Sequence, residues 1–362
     1  MKSRPADPFR PSTGVSFARF AWLVLAVNLA VIVWGGFVRA SGSGAGCGAH
    51  WPLCNGVVVP QDPRIETLIE LGHRLTSGLA LVVVVALGIW TLRRYSPESA
   101  DGRGMRRLAW LAILFIFGEA ALGAGLVLLE YVGQNSSGAR AIWMAGHLIN
   151  TFLLLAILAL LAERTHDEAA TEELSVKGVP AAGTAGRSPR WLDLLSFAAL
   201  LFTAATGAIA ALGDTLFPAT SLAEGMAQDL SPTAHFLIQL RVLHPLVAIG
   251  AGLLWIHLAQ KTRDAVPAGA RAGLWAKSLL VLVAMQFGIG LATLAFLAPV
   301  PLQLLHLLGA DLVWIAGVLM VDSRRRAAAD AATAALSAET PRARATTSLR
   351  RRMPTSMSSG VQ

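Results

Sequence analysis

Leu68–Trp90 reads LIELGHRLTSGLALVVVVALGIW. Its opening carries Glu70, His73 and Arg74, and the remainder is apolar. A helix crossing a hydrocarbon core of about 30 Å needs about 20 apolar residues, so this stretch is long enough to span a bilayer. Ionisable groups at the mouth of a span are costly and usually functional, so the polar turn needs a reason.

Comparable runs recur along the chain: Phe20–Val38, Leu68–Leu92, Leu108–Leu129, Ile142–Leu161, Trp191–Leu212, Phe236–Leu258, Leu274–Leu297 and Leu302–Met320. The 362 residues are 54% hydrophobic and 14% charged, with a mean hydropathy of +0.58. That balance is too apolar for a soluble domain. Lipid offers no partner to an exposed backbone, so the expected fold is an all-α integral membrane protein of eight transmembrane helices. Phe20–Val38 follows a basic arm but is too long for a signal-peptide core, and it reads as an uncleaved first span.

Basic residues set the expected orientation. Lys2, Arg4, Arg10 and Arg19, then Arg93, Arg94, Arg103, Arg106 and Arg107, then Lys261, Arg263 and Arg271 all fall at one face of the bundle. That face is the cytoplasmic one, together with both termini, in a bacterial inner (cell) membrane. The net charge of +8 follows from this topology and calls for no nucleic acid. Contact with anionic lipid fits it.

The chain is written twice. Gly36 and Gly207 are 171 residues apart, as are His73 and His244. LGAGLVL (Leu122–Leu128) and FGIGLAT (Phe287–Thr293) match at an offset of 165, and His147 and His306 open the fourth helices of the halves at an offset of 159. The expected division is therefore an N-terminal arm at 1–19, a four-helix bundle at 20–162, a flexible linker at 163–190, a second bundle at 191–321 and a disordered basic tail at 322–362. The repeat makes the bundles pseudo-symmetric.

With the odd-numbered connections outside, His73, His147, His244 and His306 share one depth, about a turn into their spans. A histidine alone is more often a hydrogen-bonded core residue. Four at repeat-related positions point instead to two haem irons, each held between facing helices. Zinc is weaker, because no cysteine or carboxylate cluster joins two histidines at a recognisable spacing.

The halves differ around these histidines. Glu70 lies one turn before His73 on the same face, and the same register in the second half gives Arg241 before His244. A carboxylate there can accept protons or order water, whereas Arg241, like Arg74, suits haem propionates. The competing reading has Glu70 and Arg74 capping the helix mouth. The first outer loop, GSGAGCGAHWPLCNG (Gly42–Gly56), holds the chain's two cysteines, Cys47 and Cys54, on the side expected to be oxidising. A disulfide is expected, against two free thiols. Glu119 and Asp311 are further intramembrane carboxylates, either a proton route or packing residues.

The combination of GGFVRASGSGAGCGAHWPLCNG with IELGHR, the histidine opening the fourth span and the second-half pair resembles the haem A synthase family, between Phe20 and Met320. The resemblance implies two pseudo-symmetric four-helix bundles. It implies oxidation of the ring-position-eight methyl of haem O to a formyl group, by successive hydroxylations and loss of water. Carried over, His73 and His147 hold the substrate haem O with Glu70 as a catalytic carboxylate, His244 and His306 hold haem b, and Cys47 and Cys54 form the loop disulfide. Two histidines on a substrate haem leave no open iron position. One ligand must therefore leave, or electrons must be removed with water as the nucleophile. The implied partners are an electron donor such as quinol or ferredoxin, haem O synthase and oxidase assembly factors; self-association into a homo-oligomer stays open. The rivals are a di-haem b-type electron carrier and a parallel-repeat transporter. Prenyl transfer to haem would need aspartate clusters for magnesium and diphosphate, and the sequence has none.

Overall fold

A computed structural model describes residues 13–176, 189–267 and 269–352, with side chains over 15–166, 189–267 and 269–333. The arm before 13, most of the second half of the expected linker and the end of the tail lie outside the described residues.

Among the described residues ten α-helices follow in order: α1 Thr13–Ala40, α2 Ile65–Arg94, α3 Ala100–Leu128, α4 Gly138–Val176, α5 Arg190–Leu216, α6 Leu222–Leu230, α7 Phe236–Gln239, α8 Leu243–Ala265, α9 Arg271–Ala295 and α10 Val300–Arg352. The described residues contain no strand beyond one isolated bridge between Cys54 and Val57. Among the described residues eight segments are long and apolar enough to cross a membrane, and each matches one of the expected runs, the third ending at Leu128 and the seventh at Ala295, just short of the expected Leu129 and Leu297.

The sixth span is not one continuous helix. It runs from Phe236 to Ala265 through α7, a 3-10 turn at Leu240–Val242 and α8. Pro245 supplies the cause, since it has no N–H for the carbonyl four residues back at Arg241. The break lies just before His244, near the end of the span. In the first half, α2 runs unbroken past His73.

In the first bundle α1 packs on α2 and α4, and α3 packs on the same two helices. The second bundle repeats this plan, with α8 on α5 and α9, and α10 on α9 and α5. The halves join along α4, α5, α10 and α1. Small residues allow the close approach: a Cβ at Gly36 of α1 would come within 2.7 Å of Leu307 on α10. Trp314 crosses the joint, donating its indole N–H to the Phe152 carbonyl at 2.6 Å and meeting the Phe197 ring edge-on at 5.4 Å. An indole needs such a partner when buried.

Charged residues tie the halves together at the end remote from the four histidines, and here two expected boundaries shift. The linker was expected from Glu163, but α4 continues through it to Val176. Buried Glu163 accepts from Arg271 Nε and Trp275 Nε1, both at 2.9 Å. The tail was expected after Asp322, but α10 continues into it as helix as far as Arg352. Arg164 of α4 reaches Asp322 of α10 across the joint at 2.6 Å, and within the second half buried Asp193 is clamped by Arg324 at 2.6 Å and Arg325 at 2.7 Å. Ion pairs between distant segments carry both helices beyond the apolar runs.

Candidate functional site

The four repeat histidines lie at the same end of the bundle as the cysteine loop, each near the start of its helix. Glycines face three of them. A Cβ at Gly35 of α1 would meet His73 Cε1 at 2.8 Å, one at Gly207 of α5 would meet His244 Cε1 at 2.9 Å, and one at Gly290 of α9 would meet His306 Cε1 at 3.1 Å. The imidazoles occupy room that only glycine leaves. Among the described residues, repeat-related Gly123 and Gly288 have nothing within 4 Å of where a Cβ would stand, so α3 and α9 each keep an open flank there.

In the second half the His244 and His306 rings are 6.2 Å apart between centroids, with planes at 89°. Two imidazoles sharing a metal at about 2 Å per nitrogen place their centroids about 6 Å apart. His244 Nδ1 is 3.2 Å from the Thr203 carbonyl and 3.3 Å from Thr206 Oγ1, which leaves Nε2 as the free nitrogen. This donor set fits an iron with two axial histidines. Gln286 Nε2 donates to the His306 carbonyl at 2.8 Å.

In the first half the polar turn of α2 holds the outer loop. Cys47 and Cys54 are joined in a disulfide. Glu70 is buried; its Oε2 accepts the Cys47 backbone N–H at 2.8 Å, and its Oε1 accepts from Arg74 Nε at 3.2 Å and Nη2 at 2.5 Å. Arg74 Nη1 donates onward to the His50 carbonyl at 2.6 Å and the Leu53 carbonyl at 2.5 Å. Thr67 Oγ1 donates to the Gly46 carbonyl at 2.8 Å. A Cβ at Gly46 would fall 2.4 Å from the Glu66 carbonyl oxygen, so the loop lies directly on the first turn of α2. Trp34 of α1 donates to the Ile69 carbonyl at 3.2 Å beside it.

His147 of α4 faces a carboxylate. Its Nδ1 stands 3.1 Å from Glu119 Oε2 of α3, at ion-pair distance without an aligned hydrogen bond. Asn150 Nδ2 donates to Glu119 Oε1 at 2.6 Å and Thr151 Oγ1 to Oε2 at 3.1 Å. His73 Nδ1 is buried with no hydrogen-bond partner among the described residues.

Arg241 is engaged within the protein, with Asp214 at 3.1 Å and Asp229 at 2.8 Å. Both arginines suggested for propionates thus have carboxylates and carbonyls on their donors. Asp311 is fully buried, and neither of its carboxyl oxygens has a partner among the described residues. Sequence reasoning missed Arg39 at the end of α1. It donates across the joint to the Ala211 carbonyl, Thr215 Oγ1 and Gln303 Oε1, each at 2.8 Å. The one available signal is that the repeat register puts Ala210 opposite it, so this arginine belongs to one half alone.

Residues 18–318 match the COX15-CtaA family model, described as cytochrome oxidase assembly protein. A Thermus thermophilus relative named protoheme IX farnesyltransferase is 44% identical over 306 residues, 84% of this chain and 48% of the relative. A heme A synthase of Exiguobacterium sibiricum is 34% identical over 149 residues, 41% of this chain and 48% of the relative. A heme A synthase of Halalkalibacterium halodurans is 46% identical over 98 residues, 27% of this chain and 32% of the relative. The chain spans about half the length, or less, of these curated relatives.

Proposed function

This chain belongs to the COX15-CtaA family of cytochrome oxidase assembly proteins, and we propose that it is a haem A synthase, oxidising the ring-position-eight methyl of haem O to a formyl group. In this reading His73 and His147 hold substrate haem O in the first half, and His244 and His306 hold haem b in the second. Methyl to formyl removes four electrons and adds one oxygen atom: either dioxygen is the oxidant, two hydroxylations each taking two electrons from the donor before water is lost, or water supplies the oxygen and an electron acceptor takes the four electrons. A bis-histidine haem, when bound, supplies one-electron transfer.

The observation that carries the reading is an unequal doubling. Both halves offer paired histidines, yet a carboxylate one turn before the histidine and the disulfide loop occur in the first half alone. Glu70 receives three N–H groups on its two oxygens. A carboxylate has about four acceptor sites, so one is left to orient a water or take a proton beside the substrate. Arg74 and the loop hold that carboxylate in place, and preorganised groups of this kind lower a barrier without reorganising.

The name of the Thermus thermophilus relative, protoheme IX farnesyltransferase, points to another reaction. It belongs to a protein of which more than half has no counterpart in this chain, and the aspartate clusters that prenyl diphosphate chemistry needs are missing from the sequence. The basic connections support an orientation with both termini cytoplasmic and the cysteine loop outside, in a bacterial cell membrane. Quinol or ferredoxin suits the donor role, and haem O synthase and oxidase assembly factors suit the supply and use of the haem.

The test is haem extraction from membranes supplied with haem O, run against haem B, O and A standards. The wild type yields haem A, while His73→Ala and Glu70→Gln leave haem O. A wild type that carries two b-type haems and leaves haem O untouched is instead the di-haem electron carrier.

A further inference from the structure

We infer that Glu119 is a positioning residue that makes His147 the retained axial ligand of the substrate haem and leaves His73 the exchangeable one. The inference rests on the proposed ligation of that haem by His73 and His147.

A histidine that ligates a metal generally donates its other ring N–H to a carboxylate or carbonyl, which sets the tautomer and raises the basicity of the ligating nitrogen. His147 has such a group at hand, with Nδ1 3.1 Å from Glu119 Oε2. Alignment at sites of this kind often tightens only when the ligand is bound. The carboxylate is itself fixed. Asn150 holds Oε1 at 2.6 Å and also donates to the Phe115 carbonyl at 2.9 Å. Thr151 holds Oε2 and contacts the His147 carbonyl at 3.0 Å. Asn150 in turn fills the space at Gly118, where a Cβ would come within 2.6 Å of its Oδ1. Carboxylate, histidine and the following helical turn therefore form a closed set.

The other three histidines lack this arrangement. His73 Nδ1 has no partner among the described residues, and Gly35 and the Glu70 turn surround it without a group that would hold the ring. His244 uses a backbone carbonyl. The offset of 165 that aligns the third helices carries Glu119 onto Ala284, so the second half has no carboxylate at this position. The amide of Gln286 donates to the His306 carbonyl at 2.8 Å and stands 3.5 Å from the ring Nε2, and His306 Nδ1 has no partner among the described residues.

The asymmetry answers a chemical need. A substrate haem must be admitted and its product released, and two equally held imidazoles would oppose both steps. With His147 backed by a carboxylate and His73 unbacked, one bond keeps the haem in register while the other opens. A carboxylate behind His147 also lowers the reduction potential of the first-half haem relative to the second.

The test uses the purified full-length protein, with ferric haem O titrated into the first half and the second-half spectrum as the measure of intact folding. His73→Ala is expected to bind haem O within about threefold of wild type, as a high-spin species. His147→Ala and Glu119→Ala are expected to lose roughly tenfold or more, the scale on which groups behind metal ligands act. Glu119→Gln, which keeps the shape and the Asn150 and Thr151 contacts, carries the test if the alanine variant does not fold. It raises the first-half potential and alters the g-value spread of the low-spin signal, which a packing role alone leaves unmoved. The inference is overturned if His73→Ala loses as much binding as His147→Ala, or if both Glu119 variants match wild type in affinity, potential and g values. If neither histidine variant changes haem O binding, the ligand assignment itself falls.

Discussion

The Glu70 carboxylate accepts the backbone N–H of Cys47 at 2.8 Å, so the helix that carries His73 and the disulfide loop above it are a single unit. Arg74 closes that unit from the other side, bonding Glu70 and two loop carbonyls. What happens to the loop is therefore felt at the carboxylate.

Replacing both cysteines with serine is expected to weaken this unit selectively. A bridge over seven residues of separation restricts the unfolded loop by about 2–3 kcal/mol. The paired substitution, or reductant, should lower the thermal stability of first-half haem O binding and slow haem A formation, with the second-half spectrum unchanged. Melting followed separately at the two haems checks this, and an equal loss at both would show that the loop supports the whole bundle.

Glu70→Gln and Glu70→Ala separate anchoring from chemistry. The amide oxygen of glutamine can still accept from Cys47, so the loop should stay seated while haem A formation falls by about 10²-fold or more, the range for losing a general acid–base group. Alanine also strands the Arg74 guanidinium, which is 11% exposed, and removing one partner of a largely buried ion pair costs about 3–5 kcal/mol. Full haem A formation in Glu70→Gln would reduce Glu70 to an anchor.

Gly207→Ala and Gly35→Ala test the two ligand pockets independently. The added methyl meets His244 Cε1 at 2.9 Å in one case and His73 Cε1 at 2.8 Å in the other. Overpacking of this kind costs about 1–3 kcal/mol or displaces the ring. Gly207→Ala should reduce the low-spin signal of the second-half haem and leave the first-half spectrum unchanged, and Gly35→Ala should turn the first-half haem high-spin with haem O still bound and leave the second-half spectrum unchanged. Absorption spectra of the two purified variants distinguish these outcomes.

How much of this was legible beforehand follows from the range of each interaction. The spans and the repeat could be read because a bilayer demands long apolar runs and because His73 and His244 keep one offset. Glu70 and His73 could be paired because helical geometry relates residues three apart. Glu119 and His147 could not, since they come from different helices and only packing of α3 on α4 brings them within 3.1 Å. Glu163 stopped a hydropathy count, yet its partners Arg271 and Trp275 lie more than 100 residues away. Arg74 and Arg241 looked available for propionates because, apart from Glu70 on the same helix as Arg74, their partners come from other segments: the His50 and Leu53 carbonyls of the loop, Asp214 of α5 and Asp229 of α6.

Asp311 joins a cost in stability to a role in turnover. It lies on α10 within the eighth span, fully buried and without a partner among the described residues. An isolated carboxyl in such a place opposes folding, and an apolar residue of similar size removes that penalty. Asp311→Leu should therefore raise the melting temperature, by the equivalent of about 1–3 kcal/mol. If the carboxyl relays protons released by the oxidation, the same variant should form haem A more slowly, with haem O and haem b still bound. Asp311→Asn refines the test, because it keeps polarity and size but cannot exchange a proton. A slow Asp311→Asn with normal haem content supports the relay, whereas normal turnover in both variants leaves Asp311 a packing residue only.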